Sequence, residues 1–273
     1  AGAIDVFPKP RGGLESAGEA LTQELSSKIR ILSGVVPIRR HRAAAGVVHA
    51  RRTNTREALS PTHTPLVTRP PRLSSASPAL VAIGASTGGP QALLTIFSAL
   101  PAKFPLPILC IQHISHGFLD EMVSWLNLHT PLMVRVARSG EKPLPGYIYF
   151  PQEDNHLLIN DQGCFALDAG GAQDTHRPAV DQTFFSVARV FQSGGIGVLL
   201  TGMGRDGADG LLAMAQANGV TIAQDEESCV VFGMPKQAID LGAVNKILPI
   251  TGIARELCRL AGAALPAWVQ GGE

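Results

Sequence analysis

Leu80-Val81-Ala82-Ile83-Gly84-Ala85-Ser86-Thr87-Gly88-Gly89-Pro90 is the stretch from which the fold is read. Its first four residues are an apolar run without polar alternation, the pattern of a strand buried on both faces. A polar, glycine-rich turn follows. After Pro90, Leu93, Phe97 and Leu100 recur on one helix face that stops at Pro101. Strand, turn and helix in this order make the repeating unit of a parallel α/β sheet. The unit recurs downstream. Pro107-Ile108-Leu109-Cys110-Ile111 is a second buried run, and Leu119, Met122 and Leu126 mark the helix after it. Ile196-Gly197-Val198-Leu199-Leu200 is a third, followed by a helix with Leu211, Met214 and Ala215, and Val220-Thr221-Ile222-Ala223 is a fourth. Asp181 is placed to cap a helix carrying Phe184, Val187 and Phe191, and a last helix is expected near Ile253 to Leu260. Tyr147-Ile148-Tyr149-Phe150 and His156-Leu157-Leu158-Ile159 read as a more irregular, hairpin-like insert. The expected fold over residues 79–265 is therefore α/β: a doubly wound, mostly parallel sheet with helices on both faces and a small hairpin insert, followed by a tail at 266–273.

The 273 residues exceed one average domain and fall short of two. Hydrophobic residues make up 45%, enough for a substantial core. The net charge of +1 conceals an asymmetry: residues 39–72 hold eight arginines against one acid, Glu57, so the remainder is net acidic. Residues 37–78 also hold six prolines and no aromatic residue. They read as a solvated linker, and arginines without interleaved aromatics give little basis for a nucleic-acid partner. In residues 1–36, Ile4, Val6 and Phe7 form a short strand-like run, and Ser16 with Glu19 makes a capping box before Leu21, Leu25, Ile29 and Leu32. One strand and one helix cannot bury a core alone, so by itself this region reads as a helical arm. The first residue is Ala rather than Met, as expected of a cut or processed piece. Cys110, Cys164, Cys229 and Cys258 form no C-x-x-C pair, and Cys110 lies in an apolar run. We expect a reducing, cytoplasmic setting, no metal and no membrane insertion, since no apolar run approaches the ~18 residues of a span.

Three strands run into polar, glycine-rich turns. These are Gly84 to Pro90, Gln112-His113-Ile114-Ser115-His116-Gly117, and Thr201-Gly202-Met203-Gly204-Arg205-Asp206-Gly207. In an open parallel sheet such turns share the carboxyl edge, where ligands bind. Ser86 is a candidate nucleophile that needs a base. His113 is a candidate base, and Asp206 can fix the imidazole tautomer. Gly88 and Gly89 let the backbone approach a reacting carbonyl, with free N–H groups at the helix start, and the turn around Met203 offers more. Each element has an ordinary alternative as a helix cap, a structural histidine or a helix start, and spacing alone leaves a triad open. His116, three residues after His113, reads as a rim histidine, because no Cys, Asp or Glu follows in ligand spacing before Asp120.

Val81 to Pro90, Ile111-Gln112-His113, His176-Arg177-Pro178-Ala179-Val180-Asp181, Leu200 to Ala208, and Gln224-Asp225-Glu226 through Val231-Phe232-Gly233-Met234-Pro235 resemble, in order, five stretches of the CheB-type protein-glutamate methylesterases of bacterial chemotaxis. The resemblance implies Ser86 as nucleophile, His113 as base and Asp206 as its partner, with Thr87 and Met203 beside them at the oxyanion site and no cofactor. It implies hydrolysis of glutamate γ-methyl esters, and deamidation of some glutamines, on the cytoplasmic helices of methylated chemoreceptors. Ala1-Gly2-Ala3-Ile4-Asp5 with Lys9-Pro10 is similar to the last strand and helix of a response-regulator receiver domain, so the receiver of a full-length protein is an implied partner. Two departures stand out. Ile114-Ser115-His116 replaces the family's Met-Pro after the histidine, and Pro151-Gln152-Glu153-Asp154-Asn155-His156 replaces its Pro-Gly-Gly turn. An α/β-hydrolase fits Gly84-x-Ser86-x-Gly88 but needs the acid before the histidine, whereas Asp206 comes last. A non-catalytic binding module of the same fold is the alternative outside the enzymes.

A remnant unable to bury its own apolar face has no fixed position over a cleft. Turnover is therefore expected to be indifferent to acetyl phosphate and to change little on deletion of residues 1–78. A clear rise in activity of the deletion variant would show instead that the helix with Leu21, Leu25, Ile29 and Leu32 covers the site.

Overall fold

The computed structural model describes residues 77–171, 174 and 176–266. The expected receiver remnant, the linker up to Ala76 and the tail beyond Pro266 lie outside them. The elements in chain order are β1 (Leu80–Ala85), α1 (Gly89–Ser98), β2 (Ile108–Gln112), α2 (Leu119–His129), β3 (Met133–Val136), β4 (Tyr147–Phe150), β5 (His156–Ile159), β6 (Phe165–Asp168), α3 (Val180–Phe191), β7 (Gly195–Leu199), α4 (Ala208–Gln216), β8 (Val220–Gln224), α5 (Met234–Asp240), β9 (Lys246–Leu248) and α6 (Ile250–Ala261). Seven strands form one sheet in the order β3-β4-β2-β1-β7-β8-β9, and every pairing in it is parallel. From β1 the chain first builds outward through β2, β3 and β4. It then returns to the other side of β1 with β7, β8 and β9. The order reverses between β1 and β7, and that is where a doubly wound sheet opens a crevice at its carboxyl edge.

Period-two alternation along β1 divides the core. Val81, Ile83 and Ala85 face a cluster that includes Leu93 and Phe97 of α1, Met122 and Leu126 of α2, and Ile253 and Leu257 of α6. Leu80 and Ala82 face the opposite cluster, with Val180, Phe184 and Val187 of α3, Leu211 and Met214 of α4, and Met234 and Ala238 of α5. On α3 the buried residues Val180, Thr183, Phe184, Val187 and Ala188 follow the helical stripe. Two polar side chains on that stripe, Thr183 and Ser186, hold the β5–β6 hairpin. Thr183 Oγ1 donates to Leu157 O at 2.7 Å, and Ser186 Oγ accepts from Ile159 N at 3.0 Å. At the opposite end of the sheet, Asn127 closes the edge of β3: its Nδ2 donates to Val134 O at 2.6 Å, and Val134 N donates to its Oδ1 at 2.7 Å. The described chain enters at the amino edge, where Ala79 N donates to Gly194 O at 2.8 Å.

Two expectations need correction. Tyr147–Phe150 is no part of the hairpin; it is β4, buried in the main sheet between β3 and β2. The hairpin pairs β5 with Phe165–Asp168 instead, antiparallel and in a sheet of its own. Asp181 does not cap α3, whose N-cap is Ala179 with no side-chain cap bond. The carboxylate that accepts the first-turn N–H groups comes from Asp206. Strands β3 and β9 and helix α5 went unanticipated, being four, three and seven residues long.

Helices α3 and α4 approach so closely that a Cβ on Gly210 would lie 2.6 Å from Phe184 Cβ and 2.9 Å from Asp181 O. Alanine is the better helix former, yet Gly210→Ala is expected to destabilise by about 1–3 kcal/mol, because backbone cannot yield to the methyl group. Urea unfolding of the variant checks this; a stabilised Gly210→Ala would show that the crossing relaxes.

Candidate active site

Register alone brings two of the three candidates together. Ala85 pairs with Gln112 at the ends of β1 and β2, and Ser86 and His113 are the next residue on each strand. Strand-end backbone bonds hold both: His113 N donates to Ala85 O at 3.0 Å, and Ser86 N donates to Thr201 O at 3.0 Å, across to the end of β7. Gly202 follows Thr201 and passes so close that a Cβ there would lie 2.7 Å from Ser86 Cβ. Gly88 then turns the chain into α1 at φ 80°, a left-handed conformation that suits glycine. Gly89 N is engaged with Ser86 O at 2.8 Å.

Asp206 arrives from the turn between β7 and α4. Its Oδ2 lies 2.7 Å from His113 Nε2, with the two side chains 13% and 8% exposed for His113 and Asp206 respectively. Val180 N also donates to Oδ2, at 2.7 Å, and Asp181 N donates to Oδ1 at 3.0 Å. Burial raises the Asp206 carboxyl. The His113 hydrogen bond, the His113 charge and the two backbone donors outweigh it, so the group sits below its ordinary value. Because an ionised Asp206 only accepts, Nε2 carries the imidazole proton, and Nδ1 is left with the lone pair. No hydrogen bond of Ser86 Oγ occurs among the described residues.

The remaining expected residues fall around these three. Thr87 is buried and Gly88 is the N-cap of α1, both directly after Ser86, while Met203 lies exposed on the β7 turn. Thr201 Oγ1 donates to Thr87 O at 2.9 Å and accepts from Val231 N at 2.9 Å, tying the turn after β1 to the loop before α5. Three contributors were not anticipated. Gln112 Nε2 donates to Ser86 O at 2.9 Å and to His113 O at 2.7 Å. His176 stacks on His113, with ring centroids 4.4 Å apart and planes 18° apart. Asp181 Oδ1 accepts from Gly210 N at 2.6 Å behind the triad acid. A polar residue ending a buried strand was the available signal for Gln112; nothing in the spacing marks His176.

His116 does stand at the rim, 73% exposed, but acids lie near it in space: Glu153 at 3.3 Å and Asp154 at 3.2 Å from Nδ1. Such an exposed pair contributes little stability. Glu153 also accepts from Gly117 N at 2.7 Å, so both departures from the family pattern meet on one rim and line a recess beside Gln112 with Arg177. His156 is buried rather than at the rim. Its Nδ1 accepts from Ala179 N at 3.0 Å and its Nε2 lies 3.1 Å from Asp174 Oδ2, which pins the segment carrying His176. Among the described residues no cluster of three or more His, Cys, Asp or Glu is arranged to hold a metal ion, and no helix is long and apolar enough to cross a membrane.

Comparison with known proteins agrees with this architecture. The family model described as CheB methylesterase matches residues 81–257. A protein-glutamate methylesterase/protein-glutamine glutaminase of Nitrosospira multiformis is 38% identical over 261 residues, covering 95% of this chain and 70% of the relative. One from Burkholderia lata is 41% identical over 261 residues, covering 96% and 71%. The crystal structure of the Thermotoga maritima CheB methylesterase catalytic domain superposes with a TM-score of 0.65 at 40% identity, over 68% of this chain and all of that one.

The Asp181 carboxyl is pushed up to about 6, chiefly by burial, with the Asp206 and Asp209 charges adding to the rise and the Gly210 and Gly207 N–H groups opposing it. A carboxyl raised in the fold binds more protons folded than unfolded. Its cost is therefore absent below pH ~4, grows as pH rises, and is complete above about 6. Asp181→Asn keeps the Oδ1 acceptor and removes the charge. It is expected to stabilise the domain at pH 7.5 by about 1 kcal/mol, after allowing for screening of the partly exposed group, and to give no gain at pH 3.5. Urea midpoints at the two pH values check this; equal effects at both would remove the charge explanation.

Proposed function

Since the chain belongs to the CheB methylesterase family, we propose that it hydrolyses glutamate γ-methyl esters on chemoreceptor cytoplasmic helices, with Ser86 as nucleophile, His113 as general base and acid, and Asp206 as the group that orients it. The observation that carries this reading is the 2.7 Å His113–Asp206 bond, made by a carboxylate held on two backbone N–H groups, at the strand end next to Ser86. His113 is thereby fixed in one tautomer, with Nδ1 as the proton-accepting nitrogen; in the familiar serine proteases the two nitrogens have the opposite roles.

In acylation, Ser86 Oγ attacks the ester carbonyl while its proton passes to His113. The carbonyl oxygen takes the negative charge of the tetrahedral intermediate. N–H groups of the turn at Thr87 and Gly88, at the start of α1, and of the turn at Met203 are the candidate donors to that oxygen. Collapse breaks the bond to the methoxy oxygen, which leaves as methanol with the proton from His113. In deacylation, water gives a proton to His113 and adds to the acyl carbon. Ser86 Oγ then leaves and recovers the proton, and a glutamate carboxylate is released. The same route through a glutamine side chain would release ammonia and account for a glutaminase activity. No step needs a cofactor or metal. The proposed setting is the cytoplasm, with the receiver domain of a full-length protein as regulatory partner and residues 37–78 as its tether.

Ser86→Ala is the direct test. The hydroxyl sits at a turn and contributes little packing, so the melting temperature is expected to stay near that of the parent. Methanol release from a methylated receptor fragment should fall by roughly a thousandfold or more. A folded Ser86→Ala that kept its turnover would exclude the covalent route through Ser86; a folded parent chain that released no methanol and took no serine-reactive label would favour the binding module instead.

A further inference from the structure

Gln112 is the last residue of β2 and is 4% exposed. Its amide nitrogen has two hydrogens, and both are used: one bond goes to Ser86 O at 2.9 Å, the other to His113 O at 2.7 Å. A single side chain thus joins the main chains of the nucleophile and the base, from two different strand ends. The amide cannot be turned over, because that would set Oε1 against two carbonyl oxygens.

The other end of the amide is left wanting. Oε1 is buried and has no hydrogen-bond partner among the described residues. It fills the volume that a side chain at position 89 would need: a Cβ on Gly89 would lie 1.9 Å from Oε1 and 2.8 Å from Cδ. A buried acceptor without a partner lowers stability and offsets part of what the two donor bonds contribute. The fold nonetheless holds an amide here, with a glycine next to it that makes room for it. An amide that leaves one end unpaired while it joins these two main chains points to a constraint from the site.

We infer that Gln112 is a positioning residue of the reaction. Its amide sets the separation between the Ser86 and His113 main chains, and through it the distance from Oγ to the imidazole; it touches no substrate. The inference rests on the reading of Ser86 and His113 as nucleophile and base. A misplacement of about 1 Å at such a pair costs roughly a hundredfold in rate.

The test replaces the amide with an apolar chain of equal length, Gln112→Met, with Gln112→Leu as second variant. Each is expected to stay folded, with a melting temperature near that of the parent because relief of the unpaired Oε1 is offset by two lost donor bonds, and to keep KM within about twofold. The value of kcat should fall by roughly 10- to 100-fold. Labelling by a fluorophosphonate should slow by a similar factor, since that probe needs the serine–histidine geometry and none of the receptor contacts. Unchanged kcat and labelling in a folded variant would overturn the inference, as would a change confined to KM. If neither variant folded, Gln112 would be a folding residue and the inference would fail too. Ser86→Ala assayed alongside separates the two levels: an active Ser86→Ala removes the triad, whereas an inactive Ser86→Ala with a fully active Gln112→Met removes only the role of Gln112.

Discussion

The Asp206 carboxylate is the interaction on which the rest of the site depends. Three donors converge on it: His113 from the end of β2, and the Val180 and Asp181 amides from the first turn of α3. Removing that carboxylate would leave an imidazole without an orienting partner and a helix start without its acceptor at the same time. Burial alone would push the group toward its neutral form. The positive end of α3 and the imidazole together keep it charged, so the fold and the chemistry share one electrostatic arrangement. The neighbouring Asp181 has backbone donors at Gly210 and Gly207 but no imidazole, and burial with the nearby Asp206 and Asp209 charges outweighs them, so it is raised.

Around this point the molecule divides into a fixed part and a rim. The fixed part is the parallel ladder of β2, β1 and β7, whose ends place His113, Ser86 and Thr201 side by side through main-chain bonds. The rim is built from the loops after β2 and β4, from Asp174 and from residues 176–179. His156 fastens that segment from the hairpin, and the hairpin is fastened in turn by Thr183 and Ser186 of α3. The small antiparallel sheet, separate from the main one but packed on it through Phe165 and Tyr149, therefore governs what covers the face of His113. The departures at Ser115-His116 and at Gln152–Asn155 sit on the rim and leave the ladder untouched.

Much of the fold could be read directly from the chain. The continuous apolar runs at Leu80, Ile108, Gly195 and Val220 became parallel strands, and Ser86, His113 and Asp206 lie at the ends or turns foreseen for them. Elements whose partners lie far off in sequence were harder to read. Tyr147–Phe150 has the same run of apolar residues as a hairpin strand, and only its pairing with β2 and β3 distinguishes it. Asp181 sits where a cap residue is expected, but Asp206, 25 residues further on, reaches the amides first. His116 lacked acidic partners close along the chain and has Glu153 and Asp154 beside it as ion-pair partners across a loop. Gln112 and His176 act through contacts that periodicity does not encode. Gln112 shares its strand with apolar residues, and His176 meets His113 from a segment that His156 holds at Ala179 and Asp174.

The bond from Ala79 N to Gly194 O fixes where the preceding residues join the domain. Every strand of the main sheet points the same way, so that junction lies at the amino edge, and the cleft at the carboxyl edge. A segment attached ahead of Ser77 and acting at the cleft must first run the length of the sheet, about 20 Å for a six-residue strand such as β1. The linker expected from the composition of residues 37–78 would, if a flexible coil, have a mean span of roughly 35 Å. Contour length, more than the order of the arginines along it, sets the effective concentration that a tethered domain would have at the catalytic face.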